Sequence, residues 1–497
     1  MTNKPIKILE ISGVSWLGGI SVHPYMPTGG LFQQATNYDP FEKVGVFIPN
    51  KTPAAIDAGD ITVSFKFMIS YTKIGTTTTI LGFADATKAF EINTSNDQAT
   101  DVSSSITDIA TIRGAIKFQG KVVYASDTSV KANALPLAIG SQVGILSVSA
   151  AGHIMYVAPD RNLYVTNGKS IARITSVTDK TLNTAAFLTF EDDVICRGLT
   201  DDGQHLIIVG DTNIATPTGV VENNRCFVAF WNMKSQDLTR IWSFNDSHIS
   251  GVVTQEDEVI VYGLNNTYTC TVNSQPKPLL FLGGNSSLGL PSAVNSPRPG
   301  SILKRTNGTI VWGIDASMRG YGRIHPSMNK VLFTGYTLPI STEIVLSSIE
   351  VAKGTTQTIY TATDGNKLYS FSAASTEIAS LGTAGVMFDK PYKFAFAKVI
   401  LNNNLASGQS VDLDIKTGDG DQIVLRTTRE QANSFSFTNF GAKKSHIFHP
   451  YPDVDNPTTS NDIFEDLSDF KIINKGASIK KVEIWGYEVP PHQDNYL

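Results

Sequence analysis

Little in this chain is charged. Lys, Arg, Asp and Glu make up 17% of its 497 residues, and the formal net charge is −5. A surface that grips nucleic-acid phosphates needs clustered Lys and Arg, so specific binding of DNA or RNA is not expected; transit of DNA nearby is not excluded. Cysteine is scarce, with only Cys196, Cys226 and Cys270. The number is odd and no CxxC occurs, which argues against a disulfide framework or a zinc site. Each thiol sits in apolar text (VICRG, NRCFVAF, TYTCTV), the setting of a buried free cysteine. No run of about twenty apolar residues is present, so no helical membrane span is expected. The opening MTNKPIKILEISG carries no secretory cleavage pattern. HExxH, GxSxG, the P-loop and a GxGxxG opening a helix are all missing, and no cofactor is expected.

What the chain has is turns. Glycine reaches 40 residues among many Thr, Ser and Asn. A polar turn followed at once by a short apolar strand recurs as FQGKVVYA (118–125), PDRNLYVT (159–166), DDGQHLIIVG (201–210), QEDEVIVYG (255–263), TNGTIVWGI (306–314) and TDGNKLYSF (363–371). The turns centre near residues 120, 161, 203, 257, 308 and 365, a spacing of roughly 40–55 residues with no helix between, the size of a β-propeller blade. Strands at 61–94 supply one blade more. The expectation is an all-β chain: an extended N-terminal arm (1–55), a β-propeller of about seven blades (56–382) and a C-terminal antiparallel β-sandwich (387–497), with SLGTAG (380–385) as a hinge. In the last segment VDLDIK alternates apolar and acidic residues, the mark of a strand wet on one face. The stretches 210–224 and 283–301 read as loops inserted in blades.

Few residues suggest chemistry. His446 and His449 lie near Asp453 and Asp455; a metal is conceivable, but plain surface histidines fit as well, and no metal site is expected. Asp419 and Asp421 in TGDGDQ resemble part of a calcium loop but lack its further ligands, so a hairpin turn is expected. The acidic run DIFEDLSDF (462–470) reads as a short solvated turn or helix packed by Phe464 and Leu467. Asp315, Arg319, Tyr321 and Arg323 form the most site-like cluster and could recognise an acidic sugar; inter-blade salt bridges are the plainer reading. No catalytic constellation emerges, and a non-enzymatic protein is expected.

The N-terminal stretch 14–50 is apolar yet follows no period, so it must lie along a surface, either its own chain's or a neighbour's. Its aromatic anchors would be Trp16, Tyr25, Phe32, Tyr38 and Phe41. With its NYDPFEKVG (37–45), the propeller and the small C-terminal β domain, the chain resembles the structural propeller proteins of tailed-phage virions, of the tail nozzle or hub type. The resemblance implies a homo-oligomeric ring contacting other tail proteins, made in the host cytoplasm and carried in the virion, past which DNA could slide without being held. The alternative is a receptor-recognition propeller that binds or cleaves glycans.

Overall fold

The computed structural model describes residues 4–13, 16, 32–38, 45–56, 60–73, 78–84, 88–106, 112–149, 153–212, 225–246, 248–263, 267–278, 298–314, 320–325, 330–335, 343–373, 378–383, 385–426, 433–450 and 463–489. They form two compact units. One holds 53–322 and 338–372; the other gathers 1–52, 323–337 and 373–497. The expected serial order of arm, propeller and C-terminal domain is therefore corrected: the propeller segment interrupts a unit built from both ends of the chain.

The larger unit carries six four-stranded antiparallel sheets. Five are simple meanders, over Phe65–Asp101, Gly114–Ser147, Met155–Thr189, Val194–Asn245 and Ile249–Pro278. The sixth takes three strands from Val345–Ala373 and its fourth, Thr52–Ile56, from the other side of the whole propeller segment. Between the fifth and sixth, Leu303–Lys304 and Ile310–Ile314 pair antiparallel. The first strands touch in succession: Phe65–Thr72, Gly114–Phe118, Met155–Val157, Val194–Asp201, Ile249–Gln255, the one-turn 3-10 helix Pro299–Ser301, Val345–Lys353, and Phe65–Thr72 again. That closed circuit of sheets is a β-propeller.

The sequence explains the circuit. Each sheet is apolar on both faces because each packs between two others. Leu206 and Ile208 join the cluster towards the third sheet, while Ile207 and Val209 join the one towards the fifth. In the second to fifth sheets the turn after the first strand contains a positive-φ residue where expected: Gln119 and Gly120, Arg161, Gly203, and Glu256; Gly308 does the same in the pair. The turn at 365 differs. It joins the second and third strands of its sheet, and the equivalent of the others is Gly354.

The smaller unit is one connected network rather than two separate sheets, so the β-sandwich expectation is not met in its simple form. Its strand order runs Ile6–Ser12, Ile479–Glu488, Val386–Leu401, Ile463–Lys475, Ile378–Thr383, Phe32–Thr36. Val386–Leu401 pairs with three strands and Ile463–Lys475 with three, through register shifts at Met387/Tyr392, Phe394/Phe396 and Lys416/Thr417. Such bulges bend a strand and let it serve two layers. Two local expectations are corrected here. SLGTAG is largely strand, held between two neighbours, and not a hinge. The acidic run is strand too, with Phe464, Leu467 and Phe470 buried. The TGDGDQ stretch is the expected hairpin turn, closed by Thr417 N donating to Asp421 O (2.9 Å).

Candidate functional site

The N-terminal stretch is where sequence and structure diverge most. Trp16 is fully buried, donates from Nε1 to Lys480 O (3.1 Å) and stacks on Phe47 at 5.6 Å. Tyr38 is also fully buried; its hydroxyl donates to Trp16 O (2.6 Å) and its ring meets Phe47 edge-on at 4.8 Å. Phe47 in turn exchanges backbone hydrogen bonds with Ile479 (2.8 and 2.9 Å), and Asn474 Nδ2 donates to Phe47 O (3.1 Å). These three aromatics form a lock on the C-terminal strands of their own chain. Of the two surfaces left open for this stretch, Trp16 and Tyr38 lie on their own chain's, as core residues. Phe32 starts a strand paired with Ile378–Thr383, its side chain outside the described residues. Tyr25 and Phe41 lie outside them altogether, as do Asp315 and Arg319; Tyr321 and Arg323 sit in the strand Gly320–His325, whose side chains are likewise outside.

The propeller axis holds a cavity of about 570 Å³, lined by the inner strands of the third to fifth sheets and by Pro299, Ile302 and Lys304. The other side of the axis is filled by the 3-10 turn: a Cβ on Gly300 would stand 2.4 Å from Lys66 O and 2.9 Å from Leu346 O. The cavity's polar groups hold turns and join sheets. Tyr156 donates its hydroxyl to Asp201, which also caps Gly203 N (2.7 Å). Thr200 and Thr254 share a hydroxyl hydrogen bond (2.8 Å), and Lys304 Nζ donates to Thr254 O (3.1 Å). Asp202 accepts from His205 N and Nδ1 (2.7 and 3.0 Å).

Arg197 exists in the cavity wall because of a bulge. Cys196 pairs with Gly210 and Gly198 with Val209, leaving Arg197 unpaired in the ladder and turned from the strand's regular alternation. Its guanidinium meets Asp211 at 3.1 Å, and the same carboxylate takes His248 Nδ1 (2.9 Å) and Ile249 N (3.3 Å) from the next sheet. Burial pushes the Asp211 carboxyl upward, but hydrogen bonds from His248 and Arg197 and their charges bring it net below its usual range. A second hub repeats the logic. Glu343, buried just before the last sheet, accepts from Thr363 (2.7 Å) and Tyr369 (3.1 Å) and pairs with Lys367 (3.2 Å). No sequence signal marked either hub, because each partner set is assembled from different strands.

His446 and His449 do not converge. His446 packs among Phe435, Phe440 and Phe448, and His449 beside Phe396 on the opposite side of their strand. Asp453 and Asp455 lie outside the described residues. Among the described residues no group of three or more His, Cys, Asp or Glu is placed to hold a metal, and no helix is long and apolar enough to cross a membrane. All three cysteines are buried and unbridged, as expected, with burial pushing Cys196 and Cys270 up to about 12.

No family model matches the chain, and no curated protein does. Among solved structures it is similar to the computationally designed Ika8 protein (10% identity, 64% of this chain and 99% of that one, TM-score 0.41). It is also similar to the Neurospora crassa Pan2 WD40 domain (11%, 65% and 94%, 0.39).

Proposed function

We propose that this chain is a non-enzymatic structural protein of a phage virion, a ring-forming tail component of the nozzle, hub or adaptor kind built on a propeller of about seven blades. The observation that carries the reading is the course of the N-terminal stretch. The text resembling tail propeller proteins (37–45) begins within the Trp16–Tyr38–Phe47 lock, and Thr52–Ile56 then supplies the closing strand of the last four-stranded propeller sheet. The two ends of the chain are thus packed together within the smaller unit, which suits a building block whose termini are tied down. The polar groups described around the axial cavity are engaged in holding turns and neighbouring sheets, which supports a load-carrying role over a reactive one. Short blade edges let such discs sit side by side without runaway strand pairing, and a ring needs one heterologous contact repeated around an axis.

The test is the mass of the purified full-length chain in solution, by light scattering, beside peptide mass spectrometry of purified phage particles. A closed oligomer and a stoichiometric presence in the particle are expected. A chain that stays monomeric alone and with its co-purified particle proteins would overturn the ring.

A further inference from the structure

The outer face of the smaller unit carries an arrangement that no motif announced. Cross-strand partners share a face, so the registers can be followed across the sheet. Arg426 pairs with His449, the His449 and Phe396 rings lie 6.4 Å apart, Phe396 pairs with Trp485, and Trp485 pairs with Lys7. The result is one row across five strands, with three rings in the middle and a cation at each end. The Phe396 and Trp485 rings stack at 5.4 Å and 19°. The next row holds Ile447, Lys398, Glu483 and Glu10. The core lies on the opposite side, where Ala397, Val399, Val482, Ile484 and Phe448 are buried. His449, Lys7 and Ile447 are exposed, and Phe396 and Trp485 half-buried.

Charge decides what this face suits. Glu10 takes Lys7 and lies 4.0 Å from Lys481; Glu483 takes Lys481 and accepts from Trp485 Nε1 (3.3 Å). Lys7, and Lys481 beside the second row, are thereby matched by carboxylates, and the charge of Lys398 acts on Glu483 as well. A nucleic-acid strand draws its affinity from several phosphate contacts, and this face has too few uncommitted cations to supply them. What remains is an aromatic centre bordered by the donors Arg426, Lys398 and Lys7 and by the half-buried Glu10 carboxylate, with Glu483 buried beneath its partners. Carbohydrates match that combination, since a sugar ring has an apolar face and a perimeter of hydroxyls that both donate and accept.

We propose that this face, centred on Trp485 and Phe396, binds a neutral glycan chain. The inference does not rest on the virion reading: a ring protein and a monomer could each carry it. It places sugar recognition on the smaller unit, on residues that no sequence motif singled out.

The test is affinity electrophoresis of the full chain in native gels containing dextran, laminarin, glucomannan or galactomannan. Retardation by at least one is expected, unchanged by about 0.5 M sodium chloride. It should weaken about tenfold in Trp485→Ala, the loss typical of a central aromatic contact. His449→Ala, at an exposed position, should weaken it without disturbing the fold and so guards against a misfolded Trp485 variant. Absence of retardation by all four polysaccharides, or equal retardation of the variants and the parent, would overturn the proposal. So would a Trp485→Ala variant whose only change is a smaller solution mass, because the face would then belong to a second copy of the chain.

Discussion

Replacing Trp16 by Ala separates two accounts of the N-terminal stretch. If Trp16 is a core residue, the change removes a fully buried indole, its stacking on Phe47 and the donor to Lys480 O. Losing a large buried aromatic costs about 3–5 kcal/mol. The orphaned Lys480 carbonyl adds about 1 kcal/mol or more unless water reaches it. For a unit of this size each kcal/mol lowers the melting temperature by about 2–4 °C, so a fall of roughly 6–24 °C follows. Differential scanning calorimetry should show that fall in the transition of the unit containing the chain's two ends. Limited proteolysis at intermediate temperature should cut that unit while the propeller stays whole. If Trp16 instead anchored a neighbouring copy, the melt would barely move and the solution mass would drop. A variant with unchanged melting and a smaller oligomer would therefore refute the lock described here. The same logic holds for deletion of residues 1–50, which should unfold the C-terminal strands rather than release a sound monomer.

Three further outcomes are expected. Asp211 has its carboxyl held below the usual range in the folded chain, so its stabilising contribution is present above the ordinary carboxylate value and fades as pH falls through the lower, folded one; Asp211→Asn should flatten that part of an acid denaturation curve, and an unaltered acid limb would count against the hub. Gly300→Ala should cost about 1–3 kcal/mol by driving a methyl into two backbone carbonyls, whereas Gly144→Ala, with open space around its Cβ, should leave the urea midpoint nearly unmoved. The three thiols should react with a disulfide reagent only as fast as the chain unfolds, since burial raises each of them; rapid labelling of the native protein would contradict their placement.

Some of this was readable in the chain itself. A strand buried on both faces must be apolar throughout, and the turn before it must tolerate positive φ, so LIIVG after DDGQH or VIVYG after QEDE announces a blade strand without any partner in view. Buried free thiols followed from their apolar neighbours in the same way. These are local constraints, and local text carries them.

The rest depended on contacts between distant residues. IKILEIS reads as an isolated strand, yet its place beside Ile479–Glu488 is set by a partner more than 460 residues away. The sequence left open whether Trp16 and Tyr38 met their own chain or another molecule, because an aromatic in aperiodic text has no local partner; Phe47 and the Lys480 carbonyl supply it only once the chain has folded. DIFEDLSDF seemed too acidic for a sheet, and only the bulged register against its neighbours lets Phe464, Leu467 and Phe470 all turn inward. The row from Arg426 to Lys7 draws one residue from each of five strands, so no window of sequence contains it. Periodicity and turn chemistry act over a few residues and determined the blades; strand register acts across the whole chain, and it decided the lock, the hubs and the aromatic face.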